Sequence, residues 1–210
     1  MNDPFNILVA GVGGQGNIVC GRILAEAAVL DGLRPIVGDT FGASRRGGSV
    51  TTHVRLGTRD WGPLIPLGQV HILLGLETME TYRAAASLAG RKTVVVVADT
   101  IVPTQEINAG RQKYPSFDIY VRHLSLICRH ETALVFPVRT EKALQELDSP
   151  RALNVYMIGV TAGLFQEPLR LESIRQGVKT VLGSDETNMK AFEMGVRAGS
   201  ETEPVGPFSV

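Results

Sequence analysis

Residues 6–18 read Asn-Ile-Leu-Val-Ala-Gly-Val-Gly-Gly-Gln-Gly-Asn-Ile. Residues 7–10 form a short, fully apolar run, as expected of a strand covered on both faces. The run enters a turn carrying four glycines, Gly11, Gly13, Gly14 and Gly16. From Gly16 to Leu30 the apolar residues Val19, Ile23, Ala27 and Leu30 recur at helical spacing, and Gly32 supplies a stop. Strand, glycine turn and helix in that order predict an α/β fold. The turn also offers free N–H groups and the positive end of a helix dipole, where an anion could sit.

The next segments extend this pattern. Residues 34–38 read as a second short strand ended by Asp39, a turn-forming residue. Residues 41–48 are a basic, glycine-rich loop. In residues 50–56, Val50, Thr52, Val54 and Leu56 alternate with Thr51, His53 and Arg55, the signature of a strand with two unlike faces. Residues 58–68, with glycine, proline and the single tryptophan, form a connection. A strand at 70–76, an alanine-rich helix at 77–89 and a run of four valines within 93–98 make a strand–helix–strand unit. Residues 99–115 are turn-rich, and 119–128 read as a strand followed by a short helix. A late strand at 134–138 and a short helix at 141–147 follow. Ser149 and Pro150 mark a helix start. Beyond them lie the stripes Leu153, Met157, Val160, Leu164, then Ile174, Val178, Val181, then Met189, Phe192, Val196. The expectation is a Rossmann-like, mainly parallel sheet with helices on both faces and a helical carboxy-terminal part.

At 210 residues the chain has enough length for one well-cored domain, expected over 1–199, with a flexible tail at 200–210. Formal net charge is zero, and the basic residues are scattered, so neither nucleic acid nor a membrane surface is an expected partner. No apolar run reaches the length of a membrane span and no leader pattern precedes the first strand, so a cytoplasmic location is expected. Cys20 and Cys128 are the only cysteines. Their number and separation fit neither a zinc or iron–sulfur site nor a disulfide framework.

Two segments carry binding chemistry. Gly11, Gly13 and Gly16 fit G-x-G-x-x-G between a strand and a helix, with Gly14 and Gln15 completing the turn. The same spacing also suits a tight turn that binds nothing. A dinucleotide would require an acidic residue at the end of the second strand. Asp39 is close to that position, yet reads better as a turn residue. No lysine follows the glycines, which excludes a P-loop. The second segment is Gly42-Ala43-Ser44-Arg45-Arg46-Gly47-Gly48-Ser49. Its arginines offer planar donors to phosphate or carboxylate, and its glycines expose N–H groups. A solvated loop pairing with surface carboxylates or a partner subunit fits equally well. His53, His71, His123 and His130 form no metal spacing, and no catalytic triad or carboxylate pair stands out.

Taken together, Gly11-Val12-Gly13-Gly14-Gln15-Gly16 and Ser44-Arg45-Arg46-Gly47-Gly48-Ser49-Val50 resemble the gamma component of the 2-oxoacid:ferredoxin oxidoreductases. The likeness is greatest to the small subunit of indolepyruvate ferredoxin oxidoreductases. Leu73-Leu74-Gly75-Leu76-Glu77 with Arg83, Asn154-Val155-Tyr156-Met157-Ile158-Gly159 and Asn188-Met189-Lys190-Ala191-Phe192-Glu193 extend it over nearly the whole chain. One position departs: the family loop usually reads Ser-Gln-Arg-Gly-Gly-Ser, and Arg45 adds charge where a neutral amide is the rule.

The resemblance implies a complex that oxidatively decarboxylates an arylpyruvate or related 2-oxoacid to an acyl-coenzyme A and CO2, with electrons passed to ferredoxin. It implies that thiamine diphosphate and iron–sulfur clusters reside in a large partner subunit, and that this chain bears no cofactor and is inactive alone. It also allows a homodimer of the isolated chain. The substrate or coenzyme A contacts expected on this basis are Gly11, Gly13, Gly14, Gln15, Gly16, Ser44, Arg45, Arg46, Gly47, Gly48 and Ser49, with no catalytic residue and no metal ligand. A free-standing NAD(P)- or FAD-binding oxidoreductase and a non-catalytic interaction protein of the same fold are the competing readings.

Overall fold

The computed structural model describes residues 3–42, 47–103, 105–111, 113–127 and 134–205. The first apolar run forms β1 (Phe5–Val12), and its side chains divide the molecule into two cores. Ile7 and Val9 point into one, Leu8 and Ala10 into the other. The same division repeats in β4 (Ile72–Gly75), with Ile72 and Leu74 opposite Leu73, and in β5 (Val94–Ala98), with Val96 and Ala98 opposite Val95 and Val97. Both faces of these strands are covered, which is why their sequences are continuously apolar.

The sheet has six strands in the order β2-β3-β1-β4-β5-β6, where β2 is Arg34–Phe41, β3 is Ser49–Gly57 and β6 is Val135–Val138. Strands β1, β4, β5 and β6 are mutually parallel. Strand β3 runs antiparallel to both β1 and β2, so β2 and β3 form a hairpin lying beside β1. Helix α1 (Asn17–Leu30) therefore carries the chain from β1 past the place of β3 to the sheet edge. The expected mainly parallel α/β sheet is present, with an antiparallel hairpin on one side.

Helix α1 packs on the first face with α6 (Leu153–Leu164), α7 (Leu171–Leu182) and α8 (Glu186–Glu201), through Ile23, Leu24, Met157, Ile174, Val178 and Phe192. Every residue from Leu153 to Val160 is buried, because α6 is enclosed by neighbours rather than laid on a surface. Helix α8 approaches so closely that a methyl group on Gly159 would overlap the carbonyl oxygen of Phe192. The second face holds α2 (Thr78–Leu88) and α4 (Phe117–Ile127), with Ala84, Ala85, Val121 and Leu124 in its core. Short helices α3 (Gln105–Asn108) and α5 (Glu141–Leu147) and a single 3-10 turn (Pro150–Ala152) complete the elements. Val205 makes an isolated antiparallel bridge to Val135. Among the described residues no helix is long and apolar enough to cross a membrane.

Two expectations are corrected. Residues 119–128 do not begin with a strand: 117–127 are one helix, with Phe117, Tyr120, Val121 and Leu124 buried at helical spacing. Asp39 does not turn the chain. Strand β2 runs on to Phe41, and Asp39 sits within it, opposite Thr52.

Candidate functional site

The register of β1 and β3 explains why the two early loops meet. Val12 at the end of β1 faces Ser49 at the start of β3, so the glycine turn and the hairpin loop leave the sheet from the same point. They join through backbone bonds: Gly13 N–H donates to the Gly48 carbonyl at 2.9 Å, and Gly47 N–H donates to the Gly13 carbonyl at 3.3 Å. Gly42 N–H closes the hairpin on the Ser49 carbonyl at 2.8 Å. Ala43, Ser44, Arg45 and Arg46 lie outside the described residues, so the expected contacts of Ser44, Arg45 and Arg46 have no geometry here.

The turn is stiffened from within. The Gln15 side chain accepts from Val12 N–H at 2.9 Å and donates to the Leu76 carbonyl at 3.1 Å, bridging the carboxyl ends of β1 and β4. Here the chain leaves one strand for α1 and the other for α2, on opposite faces of the sheet. Such a switch point is where open α/β sheets form ligand crevices. Gly11 is buried, and a Cβ there would lie 2.8 Å from both the Asn17 Oδ1 and the Gln15 Oε1 atoms, so close packing dictates its glycine. Asn17 Nδ2 donates to the Val12 carbonyl at 3.2 Å, while its buried Oδ1 meets no donor among the described residues.

What stays open is the start of α1. Gly14 and Gly16 adopt positive φ values of 107° and 88°, and no side chain caps the helix at Gly16. Among the described residues, the N–H groups of Gly14, Gly16 and Asn17 have no acceptor. Gly14, Gln15 and Gly16 form one wall of an open cleft of about 470 Å³. The facing wall comes from Pro150, Arg151, Leu153 and Asn154, at the start of α6, with Thr100 and Leu144 beside them. Asn154 is only 6% exposed. Its Oδ1 accepts from Val155 N–H at 2.9 Å, and its Nδ2 lies against Gly16 with no acceptor among the described residues. Arg151 is exposed and makes no ion pair among the described residues. Among the described residues no carboxylate lines this cleft.

Neither Arg151 nor Asn154 stands out as a ligand contact in the sequence. The only local signal is the helix-start pair Ser149-Pro150, which places the following residues at the positive end of a helix.

The end of β4 holds a second polar group. Glu77 is 1% exposed and caps α2, accepting from Glu80 N–H at 2.7 Å and from the Tyr114 hydroxyl at 2.5 Å. Burial pushes its carboxyl up, partly offset by these donors. Glu80 is also buried; Arg83 binds one of its oxygens at 2.5 Å, and the other meets no donor among the described residues. The Thr78 hydroxyl donates to the Ala98 carbonyl at 3.0 Å, and Thr78 N–H donates to the Thr100 carbonyl at 3.0 Å. These bonds hold the segment after β5, and with it Thr100, against the cleft.

The remaining candidates have structural surroundings. His53 and Arg55 are buried under the 58–68 connection rather than facing solvent. Asp39 accepts from the Thr52 hydroxyl at 2.5 Å on a strand separated from β1 by β3. Two strand spacings put it about 10 Å from the turn's own strand, unlike the ribose-binding acid of a dinucleotide site. Cys20 is free and buried, and burial pushes its thiol up to about 12, so it is inert at neutral pH. Cys128 lies outside the described residues. Among the described residues no three His, Cys, Asp or Glu side chains group into a metal site.

The sequence profile described as pyruvate ferredoxin/flavodoxin oxidoreductase matches residues 6–198. The indolepyruvate oxidoreductase subunit IorB of Archaeoglobus fulgidus is 33% identical over 202 residues, covering 95% of this chain and 98% of that protein. Among solved structures, the gamma subunit of a keto/oxoacid ferredoxin oxidoreductase from Geobacter sulfurreducens aligns with a TM-score of 0.62 at 21% identity, covering 94% of this chain and 99% of that one. The 2-oxoglutarate:ferredoxin oxidoreductase from Magnetococcus marinus, solved with 2-oxoglutarate, coenzyme A and succinyl-CoA bound, aligns with a TM-score of 0.67 at 19% identity, over all of this chain and 33% of that one.

Proposed function

The chain belongs to the pyruvate ferredoxin/flavodoxin oxidoreductase family, and from that premise we propose that it is the small, cofactor-free subunit of a cytoplasmic 2-oxoacid:ferredoxin oxidoreductase acting on an arylpyruvate such as indolepyruvate. The observation that carries this reading is the 33% identity to an indolepyruvate oxidoreductase subunit across 98% of that protein's length.

The complex would cleave the bond between the carboxylate and the carbonyl carbon of the 2-oxoacid. The acyl group would pass to coenzyme A, CO2 would leave, and two electrons would go to ferredoxin. Thiamine diphosphate supplies the carbanion chemistry and iron–sulfur clusters the electron path. This chain does not fit either group. Two cysteines are too few for a four-thiolate cluster. No acidic cluster among the described residues would hold the metal that anchors a diphosphate. Both groups are assigned to a large partner subunit.

This chain's own share is binding and assembly. The glycine turn presents N–H groups, and Gly47, Gly48 and Ser49 of the adjoining hairpin loop meet it at the same end of the sheet; Ser44, Arg45 and Arg46 precede them in the sequence. We assign these residues the anionic groups of coenzyme A or the substrate. Arg45 adds a guanidinium suited to a second phosphate or carboxylate oxygen.

Co-expression with the large subunit tests the reading. The purified complex should reduce ferredoxin only when an arylpyruvate and coenzyme A are both present, and this chain alone should not. Replacing Arg45 and Arg46 together by alanine should raise the KM for coenzyme A or weaken assembly. Turnover by the isolated chain, or a complex that accepts no 2-oxoacid, would refute the assignment.

A further inference from the structure

We propose that the cleft between the glycine turn and the start of α6 binds the phosphate of an organic phosphate monoester, with Arg151 as its charge partner and Asn154 Nδ2 and the N–H groups of Gly14 and Gly16 as directional donors. The proposal rests on the reading that the glycine turn meets an anion. It adds an anion site on the α6 side of the turn, beside the contacts assigned to the hairpin loop.

Three observations converge. The Gly13 N–H and carbonyl are engaged by Gly48 and Gly47 on the hairpin side of the turn. Among the described residues the N–H groups of Gly14 and Gly16 have no acceptor, and these are two of the three residues that line the cleft from the turn. Second, Asn154 is more than nine-tenths buried, and its Oδ1 is fixed by Val155 N–H. Its Nδ2 is thus a pre-aimed donor without an acceptor among the described residues, in the cleft wall directly over Gly16. A solvent-reachable amide donor beside an uncapped helix start matches an acceptor-rich group. Third, Arg151 lines the same cleft with no ion pair among the described residues, and none of the described lining residues carries a negative charge.

The donor set identifies the ligand class. Backbone N–H groups, an amide N–H and a guanidinium are all donors, matched to a group that only accepts. A phosphate monoester has three terminal oxygens and close to two negative charges at neutral pH. The cleft, at about 470 Å³, is much larger than a phosphate, and Leu144, Pro150 and Leu153 supply apolar surface. The ligand therefore carries an organic part that packs on these residues, as most small-molecule sites require.

The test uses the full isolated chain and reads backbone amide shifts by NMR, so it needs no partner and no turnover. Inorganic phosphate, a nucleoside monophosphate and a sugar phosphate are titrated separately, with acetate as a carboxylate probe. Saturable shifts of the Gly14 and Gly16 amides with a phosphate ester, tighter than with inorganic phosphate, are expected. R151Q should weaken binding about tenfold, the loss expected for one charge-assisted contact. N154D, similar in shape but negatively charged, should abolish it. R91Q, at the amino-terminal end of the strands, should leave it unchanged. Circular dichroism confirms that each variant is folded. Shifts confined to Gly47 and Gly48, equal binding of acetate, or an R151Q affinity equal to wild type would each overturn the proposal. Those outcomes would leave the subunit role intact, because that role is judged by ferredoxin reduction in the complex.

Discussion

Gly16 and Asn154 are in direct contact: a Cβ on Gly16 would overlap the Asn154 amide nitrogen. The start of α1 is therefore seated against the start of α6, and this seating forms the cleft. Replacing Gly16 by alanine has two costs. The residue sits at φ 88°, where an L side chain costs about 1–2 kcal/mol, and the methyl group must displace a buried amide for about 1–3 kcal/mol more. Gly14 is the control, at φ 107° with open space around it. Urea unfolding should show Gly16→Ala losing about 2–5 kcal/mol and Gly14→Ala only the backbone share of about 1–2 kcal/mol. Adding Asn154→Ala should recover part of the Gly16→Ala loss, because the two sites share one contact. Equal losses for the two glycine variants would disprove the overlap.

Glu77 should give the protein an unusual pH response. Its carboxyl is pushed above the ordinary 4.5, chiefly by burial. The folded state thus holds the proton more tightly than the unfolded chain. Glu77's contribution is fully present below about pH 4.5 and is lost as pH rises through its folded value. Glu77→Gln does not titrate, so its stability relative to wild type should improve as pH rises from about 4.5 toward neutrality. Unfolding curves for both proteins across this range measure the difference. A constant difference, or one growing in favour of wild type, would count against the raised value. Glu77→Ala should be worse at every pH, by about 2–4 kcal/mol, because it removes the α2 cap and strands the Tyr114 hydroxyl.

Much of this arrangement is legible from the sequence, for reasons visible in particular residues. The β1–turn–α1 unit is local, and glycine spacing, apolar run and helical stripe all agree. The valines of β5 are apolar on both faces because both faces are covered. Two features depend on distant partners and are not legible. Ile119, Tyr120 and Val121 have strand propensity, but Phe117, Tyr120, Val121 and Leu124 pack one helical stripe against α2, and tertiary burial overrides propensity. Likewise His53 and Arg55 read as the polar face of a half-covered strand, yet the 58–68 connection folds over them. The cleft is the extreme case. Its two walls are more than 130 residues apart, as the Cys20 Sγ to Asn154 carbonyl contact spans 134 positions.

Arg55 holds that covering connection in place. It is 5% exposed and donates to Asn6 Oδ1 at 3.0 Å and to the Gly62 and Leu64 carbonyls at 2.7 and 3.2 Å. Its guanidinium lies 5.5 Å from the Trp61 ring centre. Arg55→Met would leave all three acceptors without their donor and should cost about 2–4 kcal/mol in urea unfolding. Arg55→Lys should cost nearly as much, because a single ammonium cannot reproduce the planar fork. Trp61 is the only tryptophan, so its fluorescence should shift to the red in both variants as the connection loosens. An unshifted spectrum with wild-type stability would show that the connection is held by something else.

A buried histidine, His53, and a half-buried one, His71, set the acid limit of the same region. His53 Nδ1 accepts from Ile65 N–H at 3.2 Å, and His71 Nδ1 accepts from Asn6 N–H at 2.9 Å. Each bond requires an unprotonated Nδ1. Burial is the main cause that holds both side chains below the ordinary 6.5; for His53, Asp39 opposes it and Arg55 adds to it. Both groups are more acidic folded than unfolded. Their contribution is present above about pH 6.5 and is lost as pH falls through the folded values. Stability should therefore decline on acidification below about pH 6.5 more steeply in wild type than in His53→Gln, whose amide oxygen accepts from Ile65 N–H without titrating. The wild-type decline should include reddening of Trp61 emission, because His53 and Arg55 anchor the same connection. Parallel pH profiles for wild type and His53→Gln would place the acid sensitivity elsewhere, with His71→Asn as the next variant to compare.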